Sequence, residues 1–111
     1  MYPQTLYPET KQVLDIACMK VTAISSRGSK KDFIDLYFIL QKFSLEDIFK
    51  KLESKFKGVN YQKLHLLKSI SYFFDADKDP DPDMIEAIDW EKVKSYLESK
   101  VKEYVKETIV L

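Results

Sequence analysis

A chain of 111 residues with 45% hydrophobic content has the size of one domain and enough apolar side chains for one core, so a single folded unit is expected over 1–111. Eighteen basic residues balance eighteen acidic ones, which removes any bulk electrostatic drive toward nucleic acid or an anionic membrane. No apolar run approaches the roughly 20 residues a bilayer crossing needs. The start Met1-Tyr2-Pro3-Gln4 has no basic segment leading an apolar stretch, and the one cysteine, Cys18, sits among Ile16, Ala17, Met19 and Val21 as a buried small hydrophobe would, so a reducing cytoplasm is the expected location.

Gly28 and Gly58 each separate stretches of helical spacing, as turns between helices do. The expected fold is all-α, a compact bundle of about five helices over 9–108 behind an extended arm at 1–8. The arm holds two prolines and no sustained periodicity. Pro8-Glu9-Thr10 suits a first helical turn, where proline costs nothing, and helix one then runs to about Arg27, with Asp15 as a second candidate cap.

Helix two is predicted from about Lys30 to Lys42. Phe33, Ile34, Leu36, Tyr37, Phe38, Ile39, Leu40 and Phe43 make it apolar nearly all round, which places it in the centre. Ser44 with Asp47 three residues on resembles a capping box, and Leu45, Ile48, Phe49, Leu52 and Phe56 form the stripe of helix three, ending at Gly58. Asn60 can cap helix four, in which Leu64, Leu67, Ile70 and Phe74 are expected to face the core while Lys63 and Lys68 stay wet. From Asp75 to Asp83, five aspartates and two prolines make a loop. Asp89 then caps a last helix reaching about Thr108. Its stripe is Trp90, Val93, Leu97, Val101 and Val105, with Lys94, Glu98 and Lys102 spaced for pairing outside.

The unusual segment is the run from Asp15 to Tyr37, where ionised groups stand inside otherwise apolar helices. Lys20 and Arg27 are seven apart and share one face; Asp32 and Asp35 are three apart and share another. With a turn at Gly28, Lys20 can reach Asp35, and Arg27 can meet Asp32. A carboxylate on so apolar a helix is too costly to bury without a cationic partner or hydrogen bonds, so Asp35 should be paired. On chemistry alone the plain reading is a structural ion pair that locks the hairpin.

The same run, DIACMKVTAISSRGSKKDFIDLY, resembles the AbiEii abortive-infection nucleotidyltransferase pattern: an Asp-x-x-x-x-Lys stretch, then Arg, then Lys-Asp-Phe-x-Asp-Leu-Tyr. Tyr72-Phe73-Phe74-Asp75-Ala76-Asp77, the Pro-rich turn and Asp89-Trp90-Glu91-Lys92-Val93-Lys94 resemble the closing segment of that family, so the likeness covers residues 12–106. The resemblance implies a helical bundle packed behind a nucleotidyltransferase sheet. It gives Lys20 a contact to nucleotide phosphates, Arg27 and Lys31 second-line phosphate contacts, and Asp32 or Asp35 the task of orienting that site or assisting proton removal from the acceptor. For a complete family member it implies Mg2+ and a nucleoside triphosphate, with an antitoxin as partner.

Nucleotidyl transfer needs a metal held by paired carboxylates beside a Gly-Ser turn. In the family these lie well before the lysine motif, whereas the nineteen residues ahead of Lys20 hold no Gly and no Asp-x-Asp. Gly28-Ser29 sits in a helical turn with no strand to aim two carboxylates at one metal. The chain alone is therefore expected to be catalytically silent, with no metal site or cofactor of its own. The competing expectation is a non-enzymatic bundle that dimerises or binds a partner through the apolar surface a missing N-terminal half would cover.

Other candidates read plainly. Asp75, Asp77, Asp79, Asp81, Asp83 and Glu86 reproduce most ligand positions of a calcium loop, but Pro80 stands where the sharp turn needs glycine, leaving a solvated acidic turn. His65 has no second His or Cys to complete a zinc set and is expected at the surface, and Cys18 in the core. The Arg27-Gly28-Ser29-Lys30-Lys31 cluster could clamp phosphates at the start of helix two or form a wet turn. With zero net charge, independent nucleic-acid binding is not expected.

Overall fold

The computed structural model describes residues 6–55, 63–82 and 88–108, with side chains described for 12–55, 63–82 and 88–107. Its helices are α1 (Leu6–Arg27), α2 (Lys30–Ile39), α3 (Leu45–Lys55), α4 (Lys63–Ile70) and α5 (Trp90–Thr108), with a 3-10 turn at Ala76–Lys78, and no strand occurs among the described residues. The long helices α1 and α5 each pack against the three short ones between them. The all-α expectation holds.

Helix α1 begins at Leu6, so residues 6–8 of the expected arm are helical and Pro8 falls in the first turn, where its missing N–H has no helical partner to lose. Ala17, Cys18, Val21 and Ile24 form its buried stripe, spaced for one helical face. It ends at Gly28 for a steric reason. A Cβ there would lie 2.8 Å from Cε2 of the buried Phe33 ring and 3.2 Å from the Ile24 backbone, so the turn closes only with glycine.

Ser29 opens α2 through a capping box of the same Ser-x-x-Asp spacing as Ser44–Asp47, not assigned from the sequence: its hydroxyl accepts from the Asp32 amide at 3.2 Å, and Asp32 Oδ2 accepts from the Ser29 amide at 3.3 Å. The helix stops at Ile39 rather than Lys42, its last turn tightening through bonds from the Gln41 and Lys42 amides to Phe38 and Ile39. Its expected central place is a correction. Phe33, Ile34, Leu36 and Leu40 enter the core, but α2 has more apolar residues than one face can bury, and Phe38 is exposed with its ring against Tyr37. Helix α1, which touches α2, α3 and α4, is the more central element.

Helix α3 has the expected Ser44–Asp47 box, both bonds present, and buries Leu45, Ile48, Phe49 and Leu52. The expected roles of Phe56, Gly58 and Asn60 lie outside the described residues. In α4 the core stripe is Leu66, Leu67 and Ile70, whereas Leu64 and Phe74 are each 57% exposed, contrary to expectation. Leu64, two residues before Leu66, points to the opposite side of the helix. After Ile70 the chain tightens through turns at Ser71 and Tyr72, which delivers Phe73 to the core in place of Phe74. There Phe73, Phe33 and Trp90 form an edge-to-face trio with centroids 5.1 to 6.1 Å apart, joining α2, the end of α4 and the start of α5.

Asp89 caps α5 as expected, its carboxylate accepting from the Glu91 amide at 3.1 Å. Val93, Leu97 and Tyr104 are buried, with Trp90, Val101 and Val105 packed beside them. Lys94 turns away from its expected partner Glu98 and instead meets Asp77 at 2.9 Å and Glu91 at 3.1 Å.

Candidate functional site

Lys20 projects from α1 toward α2, where Asp32 and Asp35 stand one turn apart on a single face. Its ammonium lies 2.9 Å from Asp35 Oδ2 and 3.2 Å from Asp32 Oδ1, and Lys31 closes on Asp35 from its own helix at 3.1 Å. The Lys20, Asp32 and Asp35 side chains are about three-quarters buried, each 21% to 25% exposed. The expected Lys20–Asp35 contact is thus present, with Asp32 on the same lysine.

Burial alone would push the Asp35 carboxyl up, and it is the largest single influence. Hydrogen bonds from Lys20 and Lys31, with their charges, together outweigh it and hold the group below the usual carboxylate range. The hydrogen bond to Asp35 raises the Lys20 ammonium in turn, against an opposing push from burial and with help from Asp32. Asp35 and Lys20 are therefore both charged at neutral pH. An ammonium stands between the two carboxylates where a divalent cation would have to sit, and no three His, Cys, Asp or Glu side chains converge among the described residues. These residues do not fit a magnesium site.

Arg27 departs from expectation. It was expected to meet Asp32, but Asp32 is engaged by the Ser29 amide and Lys20 instead, and Arg27 is exposed with no ion pair to a described residue. It lines a cleft between α1 and α4 together with His65 and Lys68. His65 lies at the surface as expected, Nε2 3.3 Å from the Ser25 carbonyl. Cys18 is in the core, its thiol pushed up by burial and directed at the Ile48 carbonyl 3.8 Å away.

Lys30 was missed as a functional position, having been read only within a basic turn. It is 7% exposed, and its amide donates to Asp79 Oδ2 at 2.9 Å. Its ammonium meets Asp81 at 3.1 Å and lies 5.2 Å from the centre of the Trp90 ring. The indole N–H of Trp90 donates to Asp77 at 2.8 Å; that bond first, and Lys94 second, hold the Asp77 carboxyl low. Asp77, Asp79 and Asp81 thus clasp the start of α2 to α5 rather than merely meeting solvent or converging on calcium, while Asp83 and Glu86 lie outside the described residues. The partners are 49 and 51 residues from Lys30, beyond the reach of local spacing.

The family described as "Nucleotidyl transferase AbiEii toxin, Type IV TA system" matches residues 9–108, from the first turns of α1 to the end of α5. The chain belongs to the AbiEii family. An uncharacterized protein of Aquifex aeolicus (strain VF5) is 42% identical over 93 residues, which cover 82% of this chain but 43% of that protein. The AbiEii match in this chain therefore spans less than half of that relative's length. No solved structure matches the chain. Among the described residues of this AbiEii member, no helix is long and apolar enough to cross a membrane.

Proposed function

We propose that this chain is the C-terminal helical module of an AbiEii-like nucleotidyltransferase toxin, without the Gly-Ser and Asp-x-Asp half and catalytically silent alone, whether as part of a longer protein or as the product of a shortened open reading frame. The observation that carries this reading is the Lys20 ammonium shared by Asp32 and Asp35, which gathers Lys20, Lys31, Asp32 and Asp35 of the family motif in one cluster yet leaves no room for a metal. The length of the Aquifex relative supports it, since more than half of that protein lies outside the match.

In the completed site Lys20 contacts the nucleotide phosphates with Lys31 as a further contact from the same cluster, while Arg27, expected as another, lines the α1–α4 cleft instead. Asp32 and Asp35 orient Lys20 or take the proton of the acceptor hydroxyl. Asp35, held low by its lysines, becomes a useful base only once a phosphate draws Lys20 away. Mg2+ and a nucleoside triphosphate belong to the complete protein, and its family's place in a type IV system supports an antitoxin as partner and the cytoplasm as location.

The reading is tested by titrating the chain with ATP or CTP, with and without magnesium. Weak binding that does not depend on magnesium and is lost in Lys20→Ala supports it. Binding read at residues 20 and 31–35 that requires magnesium, or that Lys20→Ala leaves intact there, contradicts it.

A second reading rests on a different observation. Ile16 and Met19 are 47% and 65% exposed on α1, beside an open groove lined by Cys18, Thr22, Ala23 and Ser26, which suits self-association or a protein partner. Light scattering of the purified chain gives a dimer if that face pairs with a second copy, and a monomer counts against it.

A further inference from the structure

We propose that the cleft between the end of α1 and α4 is a phosphate-binding site of this chain, separate from the Lys20 cluster. The proposal goes beyond the nucleotidyltransferase reading and stands on this chain alone. The cations of the α1–α2 hairpin are largely spoken for: Lys20 by Asp32 and Asp35, Lys31 by Asp35, Lys30 by Asp81. A phosphate entering there must displace a carboxylate. Arg27 and Lys68 form no ion pair with a described residue, and both line one cleft of about 320 Å3. That volume lies at the small end of the roughly 300–1,000 Å3 typical of ligand sites.

The cleft is built across two helices. His65 on α4 is tied to the Ser25 carbonyl of α1, and because a carbonyl only accepts, Nε2 carries the hydrogen. The Ser25 and Ser69 hydroxyls give their hydrogens to the Thr22 and His65 carbonyls at 2.6 and 2.9 Å, so they present lone pairs to a ligand rather than donors. The charged donors are the Arg27 guanidinium, whose fork matches two oxygens of a phosphate, and the Lys68 ammonium. Asp75 also lines the cleft, so Arg27 and Lys68 together leave one net positive charge there. Tyr72, exposed, lines the cleft with the exposed Phe74 ring next to it at 6.3 Å between centroids, an apolar flank for the organic part of a phosphate ester.

The test is a titration of the 15N-labelled chain with inorganic pyrophosphate, followed by amide shifts. Saturable shifts centred on residues 25–28 and 65–69 are expected, with affinity weakened roughly tenfold in Arg27→Ala and in Lys68→Ala, the scale of one charge-assisted contact. Lys68→Arg should retain binding, and the exposed Lys102→Ala, which removes the same charge elsewhere, should bind as the parent does. Lys68 is exposed, so its variant should melt with the parent and carry the test if Arg27→Ala folds poorly. Repeating the titration with ATP and with a short oligothymidylate identifies the source of the phosphate by which of them binds tighter at these residues. Unsaturable shifts, shifts centred on residues 30–35, or equal weakening by Lys102→Ala would overturn the proposal. A silent transferase assay leaves this outcome unaffected, so the two ideas fail separately.

Discussion

The Lys20 ammonium joins Asp35 at 2.9 Å and Asp32 at 3.2 Å, so one side chain of α1 fixes the register of the returning helix α2. Removing Lys20 leaves Asp32 without its lysine and Asp35 with only the exposed Lys31, whereas removing Asp35 leaves Lys20 with Asp32 alone, so the two losses overlap at one shared contact. Lys20→Met and Asp35→Asn should therefore each cost about 1–3 kcal/mol, and the double variant less than their sum. Urea unfolding measures the cycle, and additive losses would show that the pair is not coupled.

The same pair sets pH limits on stability. Asp35 has a lowered carboxyl in the fold, so its contribution is present above the ordinary carboxylate range and is lost as pH falls through the folded value. Lys20 has a raised ammonium, so its contribution is present below the ordinary lysine range and is lost as pH rises through the folded value. Melting temperature against pH should fall at both ends, and Asp35→Asn should flatten part of the acid limb. An unchanged acid limb in that variant contradicts the assignment.

Gly28→Ala should destabilise the hairpin by roughly 1–3 kcal/mol, the usual range for overpacking. The new methyl would meet the buried Phe33 ring and the Ile24 backbone. Phe33→Leu in the same chain should recover part of the loss by removing the ring edge. Thermal melts of the single and double variants decide this, and a Gly28→Ala chain as stable as the parent would refute the packing argument.

At Lys30 the account separates packing from charge. The partner Asp81 is largely exposed, so the ion pair itself contributes little, while the stem is buried beneath Trp90. Lys30→Met should cost less than about 1 kcal/mol and Lys30→Ala about 1–2 kcal/mol. Asp79→Ala, which strips a cap from the Lys30 amide, should also cost about 1 kcal/mol. Chemical denaturation checks the order, and a Met variant as weak as the Ala variant would mean that charge dominates.

Which parts of this structure were legible in the sequence follows from the range of the interactions. Ser44 with Asp47, Asp89 and Gly28 mark helix ends through contacts within a few residues, and they marked them correctly. Lys20 with Asp35 was legible because a carboxylate on an apolar helix requires a partner and the turn length selects it. Arg27 was misread because Asp32 closes the Ser29 cap and meets Lys20 rather than the arginine. Leu64 and Phe74 were misplaced because apolar spacing allowed two stripes on α4, and the choice depends on how the chain turns after Ile70. The Lys30 clasp was invisible because its carboxylates arrive from a distant loop.

The most direct test of the central claim, that this module lacks the catalytic half of a nucleotidyltransferase, is transfer of label from α-32P nucleoside triphosphates to RNA in magnesium buffer by the purified chain. The account predicts no labelled product. Magnesium-dependent labelling that disappears in Lys20→Ala would contradict it.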